Sequence, residues 1–117
     1  MQLCIIQSDG HCLFRAISMA VYNTEQNWKV YRMVAINYIH NNFADFCSLV
    51  PLNENELGIN YKNREVKYLK EHLKALNNFE NKAPPAAWGS VMDIIAISRY
   101  LKCKVIIYKG IYFTLFL

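Results

Sequence analysis

Asp9-Gly10-His11-Cys12-Leu13-Phe14-Arg15-Ala16-Ile17 is the stretch from which the rest of the chain is read. Ser8-Asp9-Gly10-His11 reads as a tight turn, because Asp and Gly supply unusual backbone angles and local hydrogen bonds. From Cys12 to about Tyr22 the residues are good helix formers, apolar almost all round, the pattern of a buried helix. Cys12 therefore falls where a glycine-containing turn meets the first turn of a helix. The unpaired N–H groups and the dipole there favour negative charge, and a thiolate is negative. The same N–H groups point at a site where an oxyanion could form beside the sulfur. Gly10 lets the backbone approach closely. One short segment could supply both a nucleophile and its oxyanion hole. The bland alternative is a cysteine buried as a packing residue, the usual fate of cysteines at apolar helix starts.

Working outward, residues 3–7 alternate weakly and could be a short strand. Thr24 is a plausible N-cap for a second helix running to about Asn42, with Trp28, Tyr31, Ala35, Tyr38 and Ile39 on one face. Phe43 to Asn63 contains Pro51 and Gly58 and reads mostly as loop. Arg64 to about Leu76 forms an amphipathic helix with Val66, Leu69, Leu73 and Leu76 inward. Asn77 to Gly89 is a connection carrying Pro84-Pro85. Ser90 and Asp93 have capping-box spacing and open an apolar helix to about Leu101. Lys104 to Tyr108 reads as a β-branched strand, and Lys109-Gly110 as a two-residue turn into a second strand, Ile111 to Leu117. The expected class is α+β, with helices packed on a small β-sheet.

Composition bounds the function. The chain has 117 residues, 54% hydrophobic and 19% charged, which suits one folded domain over residues 1–117. The formal charge of +4 is modest. Lys62, Arg64, Lys67, Lys70 and Lys74 form a basic stripe, but Glu65 and Glu71 interrupt it. A solvated helix face is the simpler reading than a nucleic-acid surface. Cys4, Cys12, Cys47 and Cys103 form no Cys-x-x-Cys pair, so a structural zinc site has little support. The start of the chain is no signal peptide, and no apolar run could span a bilayer. Free thiols inside a cell, in the cytoplasm of that cell or of an infected host cell, are the expectation.

The opening segment resembles the signature of the ovarian-tumour (OTU) family of cysteine proteases: Asp-Gly, then Asn or His, then Cys-Leu-Phe-Arg and a small residue. Arg32-Met33-Val34-Ala35-Ile36-Asn37-Tyr38-Ile39 resembles the family's next helix. Trp88-Gly89-Ser90-Val91-Met92-Asp93-Ile94-Ile95-Ala96-Ile97-Ser98 is similar to a third block. Cys103-Lys104-Val105-Ile106-Ile107-Tyr108 resembles the strand after it. The resemblance implies a papain-like domain that cuts ubiquitin, or a ubiquitin-like modifier, from proteins, with no metal or organic cofactor. Cys12 matches the nucleophile and Asp9 the motif aspartate. Backbone N–H groups of Gly10, His11 and Cys12 match the oxyanion hole. Trp88 and Gly89 match a structural element near the substrate channel.

A thiol protease needs a general base beside the sulfur, nearly always His. The resemblance places that histidine after further strands, near the domain's end, whereas His72 is the last histidine in this sequence. His11 reads as a turn residue bonded locally, with its ring away from the sulfur. His40 lies on the polar side of its helix, and His72 borders the Leu69/Leu73 stripe without an evident acidic partner. The hydrophobic run Ile111–Leu117 agrees with a C-terminally truncated domain. Two readings follow, an OTU-like deubiquitinase and a non-catalytic fragment or pseudoenzyme that binds ubiquitin or another protein. A nucleic-acid-binding protein is a distant third, since it leaves the Asp-Gly-His-Cys segment unexplained.

Overall fold

Five helices account for most of the architecture in the computed structural model, which describes residues 10–50, 61–108 and 112–116, with side chains for 10–50 and 64–104. Helix α1 spans Cys12–Tyr22 and ends on Asn23, whose left-handed backbone (φ 59°) lets its N–H bond the Met19 carbonyl. Asn tolerates that conformation better than most residues. Thr24 caps a single 3₁₀ turn, Glu25–Asn27, by accepting from the Gln26 N–H at 3.3 Å. The turn runs straight into α2, Trp28–Asn41. Ser18 fixes the corner by donating to the Thr24 carbonyl and accepting from the Asn27 N–H.

Phe43–Cys47 forms a short helix, α3, where a loop was expected. Phe46 explains the difference. It is buried against the core and meets Tyr38 edge-on at 6.0 Å, so tertiary contact supports a turn whose sequence alone is too short to be stable. Helix α4 covers Tyr61–Leu76, and α5 covers Val91–Leu101, where the Ser90 N–H donates to Asp93 Oδ2 at 2.7 Å. A 3₁₀ turn, Pro85–Ala87, interrupts the connection between them.

The expectation of helices packed on a small β-sheet is overturned. Among the described residues the β-structure is one antiparallel ribbon, β1 (Lys104–Tyr108) with β2 (Tyr112–Phe116), in register Lys104↔Phe116 to Tyr108↔Tyr112. The core is helix against helix: Phe14 and Ile17 of α1; Trp28, Tyr31, Ala35 and Ile39 of α2; Phe46 of α3; Leu69 and Leu76 of α4; Met92, Ala96 and Ile97 of α5. Two five-residue strands offer too little surface to form a layer, whereas helices of 11 to 16 residues bury whole faces on one another. The proposed strand at 3–7 and the turn at Lys109-Gly110 lie outside the described residues.

Helix α2 is the central element and lies against all four other helices. Its stripe Trp28, Tyr31, Ala35 and Ile39 is buried as the spacing implies, and Tyr38 is half-buried. Arg32, one turn after Trp28, is buried too.

Candidate active site at the start of the first helix

Cys12 is the first residue of α1, and its side chain is exposed. His11 precedes the helix, and its carbonyl accepts the first intrahelical bond from the Arg15 N–H at 2.9 Å. In a planar trans peptide the N–H points opposite to the carbonyl. The Cys12 N–H therefore aims away from the helix body, back past its N-terminus. The His11 side chain does not cap the helix.

Gly10 creates the approach to this junction. Its φ is +89°, a region that costs residues with a Cβ, and a Cβ there would fall 2.5 Å from the Ala83 carbonyl oxygen and 2.9 Å from Trp88 Nε1. The Trp88 indole N–H donates to that same Ala83 carbonyl at 3.2 Å, leaving half of its ring exposed beside the turn. Gly89 repeats the device: a Cβ there would collide with the Leu13 side chain, its Cβ lying 2.9 Å away. Two glycines thus bring the Trp88-Gly89 segment onto the turn that carries Cys12.

His11 differs from its expectation as a locally bonded turn residue. It is fully buried, stacks on Trp28 at 3.7 Å, and both ring nitrogens have distant partners. Nε2 lies 2.7 Å from the Glu80 carbonyl, which can only accept, so Nε2 carries the proton. Nδ1 lies 2.8 Å from an Arg32 terminal nitrogen, which can only donate, so Nδ1 accepts. This assignment uses both nitrogens structurally and leaves neither to take a proton from Cys12. His40 is exposed on α2, as its spacing implied.

His72 does have an acidic partner, which corrects the sequence reading. Its Nε2 lies 3.0 and 3.2 Å from the two oxygens of the buried Asp93. Ser90 Oγ sits 3.4 Å from the same Nε2 and 3.1 Å from Asp93 Oδ2. Ser, His and Asp here resemble a hydrolytic triad only in composition. A triad needs the acid on one ring nitrogen and the nucleophile on the other, and here both meet Nε2. The cluster ties α4 to the start of α5. Nothing in the sequence signals a contact between residues 21 positions apart on two helices.

Arg32 is the residue that pattern reading missed. One terminal nitrogen donates to the Leu76 carbonyl (3.1 Å) and the Ala87 carbonyl (2.7 Å), and the other to the Gly10 carbonyl (3.3 Å) and His11 Nδ1. Its guanidinium lies 4.5 Å above the Phe14 ring. The available signal was its spacing, four after Trp28 and three before Ala35, on the buried stripe.

Asp9 lies outside the described residues, as does Cys4. Burial pushes the Cys103 thiol up from its ordinary range, and burial followed by the Glu65 charge does the same to Cys47. Cys12, Cys47 and Cys103 are free thiols. Among the described residues no cluster of three His, Cys, Asp or Glu side chains could hold a metal, and no helix is long and apolar enough to cross a membrane.

The family model described as OTU-like cysteine protease matches residues 7–114. Deubiquitinase OTUD6B of Gallus gallus is 30% identical over 102 residues, covering 86% of this chain and 30% of that protein. The solved OTUD1 OTU domain matches with a TM-score of 0.59 at 22% identity, over 85% of this chain and 52% of that one, a likeness of fold. The chain thus spans under a third of the length of that curated relative and about half of that solved domain.

Proposed function

The chain belongs to the OTU-like cysteine proteases, and from that premise we propose that Cys12 is the nucleophile of a ubiquitin-directed thiol protease, within a single OTU-like domain. The observation that carries the reading is the exposed Cys12 at a helix start whose backbone N–H groups point back past the helix N-terminus. The thiolate attacks the carbonyl of the isopeptide bond after the ubiquitin C-terminal glycine. The N–H groups of Gly10, His11 and Cys12 receive the oxyanion, with Asp9 as the motif acid beside them. The carbon–nitrogen bond breaks, the lysine amine leaves with a proton, and water hydrolyses the thioester to regenerate the thiol. The partner is ubiquitin or a ubiquitin-like modifier, and the setting is the cytoplasm of the cell or of an infected host cell.

A second reading has its own observation. Both nitrogens of His11 are engaged and His72 is held by Asp93, so neither is poised as a base. A non-catalytic ubiquitin-binding module accounts for that directly. A ubiquitin C-terminal electrophile, incubated with the chain and with Cys12→Ala, separates the two. An adduct by intact mass that depends on Cys12 is expected, with circular dichroism showing both proteins folded. A folded protein with no adduct overturns the protease reading.

A further inference from the structure

Arg32 joins three pieces of chain that have no covalent reason to meet. Leu76 is the last residue of α4, Ala87 closes the 3₁₀ turn before Trp88-Gly89, and Gly10 closes the turn before Cys12. The Ala87 carbonyl is of the kind that helix ends leave unpaired, and the Leu76 carbonyl adds Arg32 to the Asn78 N–H that it already accepts at 2.7 Å. A guanidinium can answer all of them at once, because its terminal nitrogens present paired hydrogens in a rigid plane. An ammonium, a single point on a flexible stem, cannot match that fork.

The Gly10 carbonyl carries the functional consequence. It points to Arg32 at 3.3 Å, so the N–H of the same planar trans peptide, that of His11, points the opposite way, away from the guanidinium. The contact to His11 Nδ1 holds the next side chain in place. Gly10 has no Cβ to hold its own conformation and sits at φ +89°, where the peptide plane would otherwise be free to turn over. We infer that Arg32 is a positioning residue for the Cys12 site: by clamping the Gly10 carbonyl and the His11 ring, it aims the His11 and Cys12 N–H groups at the place where an oxyanion forms. Only the last step, the oxyanion, rests on the proposed protease reading.

Two reagents separate positioning from mere folding. Iodoacetamide alkylates the Cys12 sulfur by displacement and forms no oxyanion. A ubiquitin C-terminal aldehyde forms a tetrahedral adduct with an oxyanion. In folded Arg32→Lys, the aldehyde should bind on the order of 10²-fold more weakly, the cost typical of a lost oxyanion donor or a misplaced reacting group. Iodoacetamide labelling of Cys12 should stay within about threefold of the parent, a bound set by an exposed thiol whose access is unchanged. Equal aldehyde affinity in the two proteins overturns the inference, as does a parallel fall in both reactions. If the parent chain binds no aldehyde, the protease reading fails, and the clamp is judged by nitrogen NMR of the parent's His11 at neutral pH. Protonation at Nε2 with an accepting Nδ1 supports it, and a proton on Nδ1 overturns it. The same spectrum decides the matter if Arg32→Lys does not fold.

Discussion

Cys12 and Cys103 differ in ways that make thiol chemistry a direct test of the site. Cys12 is exposed at a helix start, whereas Cys103 is buried and burial pushes its thiol up. Cys47 is also pushed up, by burial first and Glu65 second. Thiolates rather than thiols react, and access limits the rate. Limited iodoacetamide at neutral pH, followed by peptide mapping, should therefore label Cys12 well before Cys47 or Cys103. Equal labelling of the three would show that the helix start confers no selectivity. At the neighbouring position, Gly10→Ala combines a left-handed φ with a Cβ 2.5 Å from the Ala83 carbonyl. Strain of that kind costs roughly 1–3 kcal/mol, so a lower urea midpoint and weaker adduct formation with the ubiquitin electrophile are expected. At this scale the sequence was informative about the helix start at Cys12 and the backbone freedom used at Gly10, because both are local chemistry. It was silent on His11 and Arg32, whose partners lie 69 and 55 residues away. Burying a polar side chain on distant carbonyls leaves no local pattern.

Between elements, the decisive contact is α1 against the segment that leads into α5. Gly89 permits it, since any Cβ there would run into Leu13. Overpacking of this sort costs about 1–3 kcal/mol. Gly89→Ala should lower stability by that amount, and adding Leu13→Ala should recover part of it, because the second change removes the atoms in collision. Urea unfolding of the two single variants and the double gives the coupling directly. Strict additivity would mean that the segments do not press together in solution. Helix boundaries were largely legible from caps and spacing: Ser90 and Asp93 mark a start that the structure keeps, whereas Thr24 caps a 3₁₀ turn and α2 itself begins at Trp28. Short α3 was not, because five residues carry too little periodicity and Phe46 acts through distant packing. The sheet was misjudged for the converse reason. β-branched residues and a two-residue turn signal identified two strands, but strand pattern does not say how many strands pair, and the apolar helix faces found each other instead.

For the molecule as a whole, α2 lies in the middle of the helical core, so a change in the state of its buried groups is felt in global stability. A domain of this size is expected to unfold cooperatively. Tyr31 on α2 is buried, and its phenol is pushed up to about 12, first by that burial and then by Tyr22 beside it. The unfolded chain releases this proton near the ordinary tyrosine value of about 10. Below that pH both states keep the proton, and the stabilisation is fully present. Between about pH 10 and 12 the unfolded state loses the proton while the folded state holds it, so stability falls as pH rises. Burial of Cys103 and Cys47 acts with the same sign and starts somewhat lower, near the ordinary thiol range. Urea midpoints at pH 8 and pH 11 should therefore differ, with the alkaline one lower. Tyr31→Phe removes the titrating group, and the difference between its two midpoints should shrink even if both lie below those of the parent. An unchanged pH difference in that variant would assign the alkaline loss to the thiols and lysines, and would mean that Tyr31 is open to solvent rather than closed into the helical core.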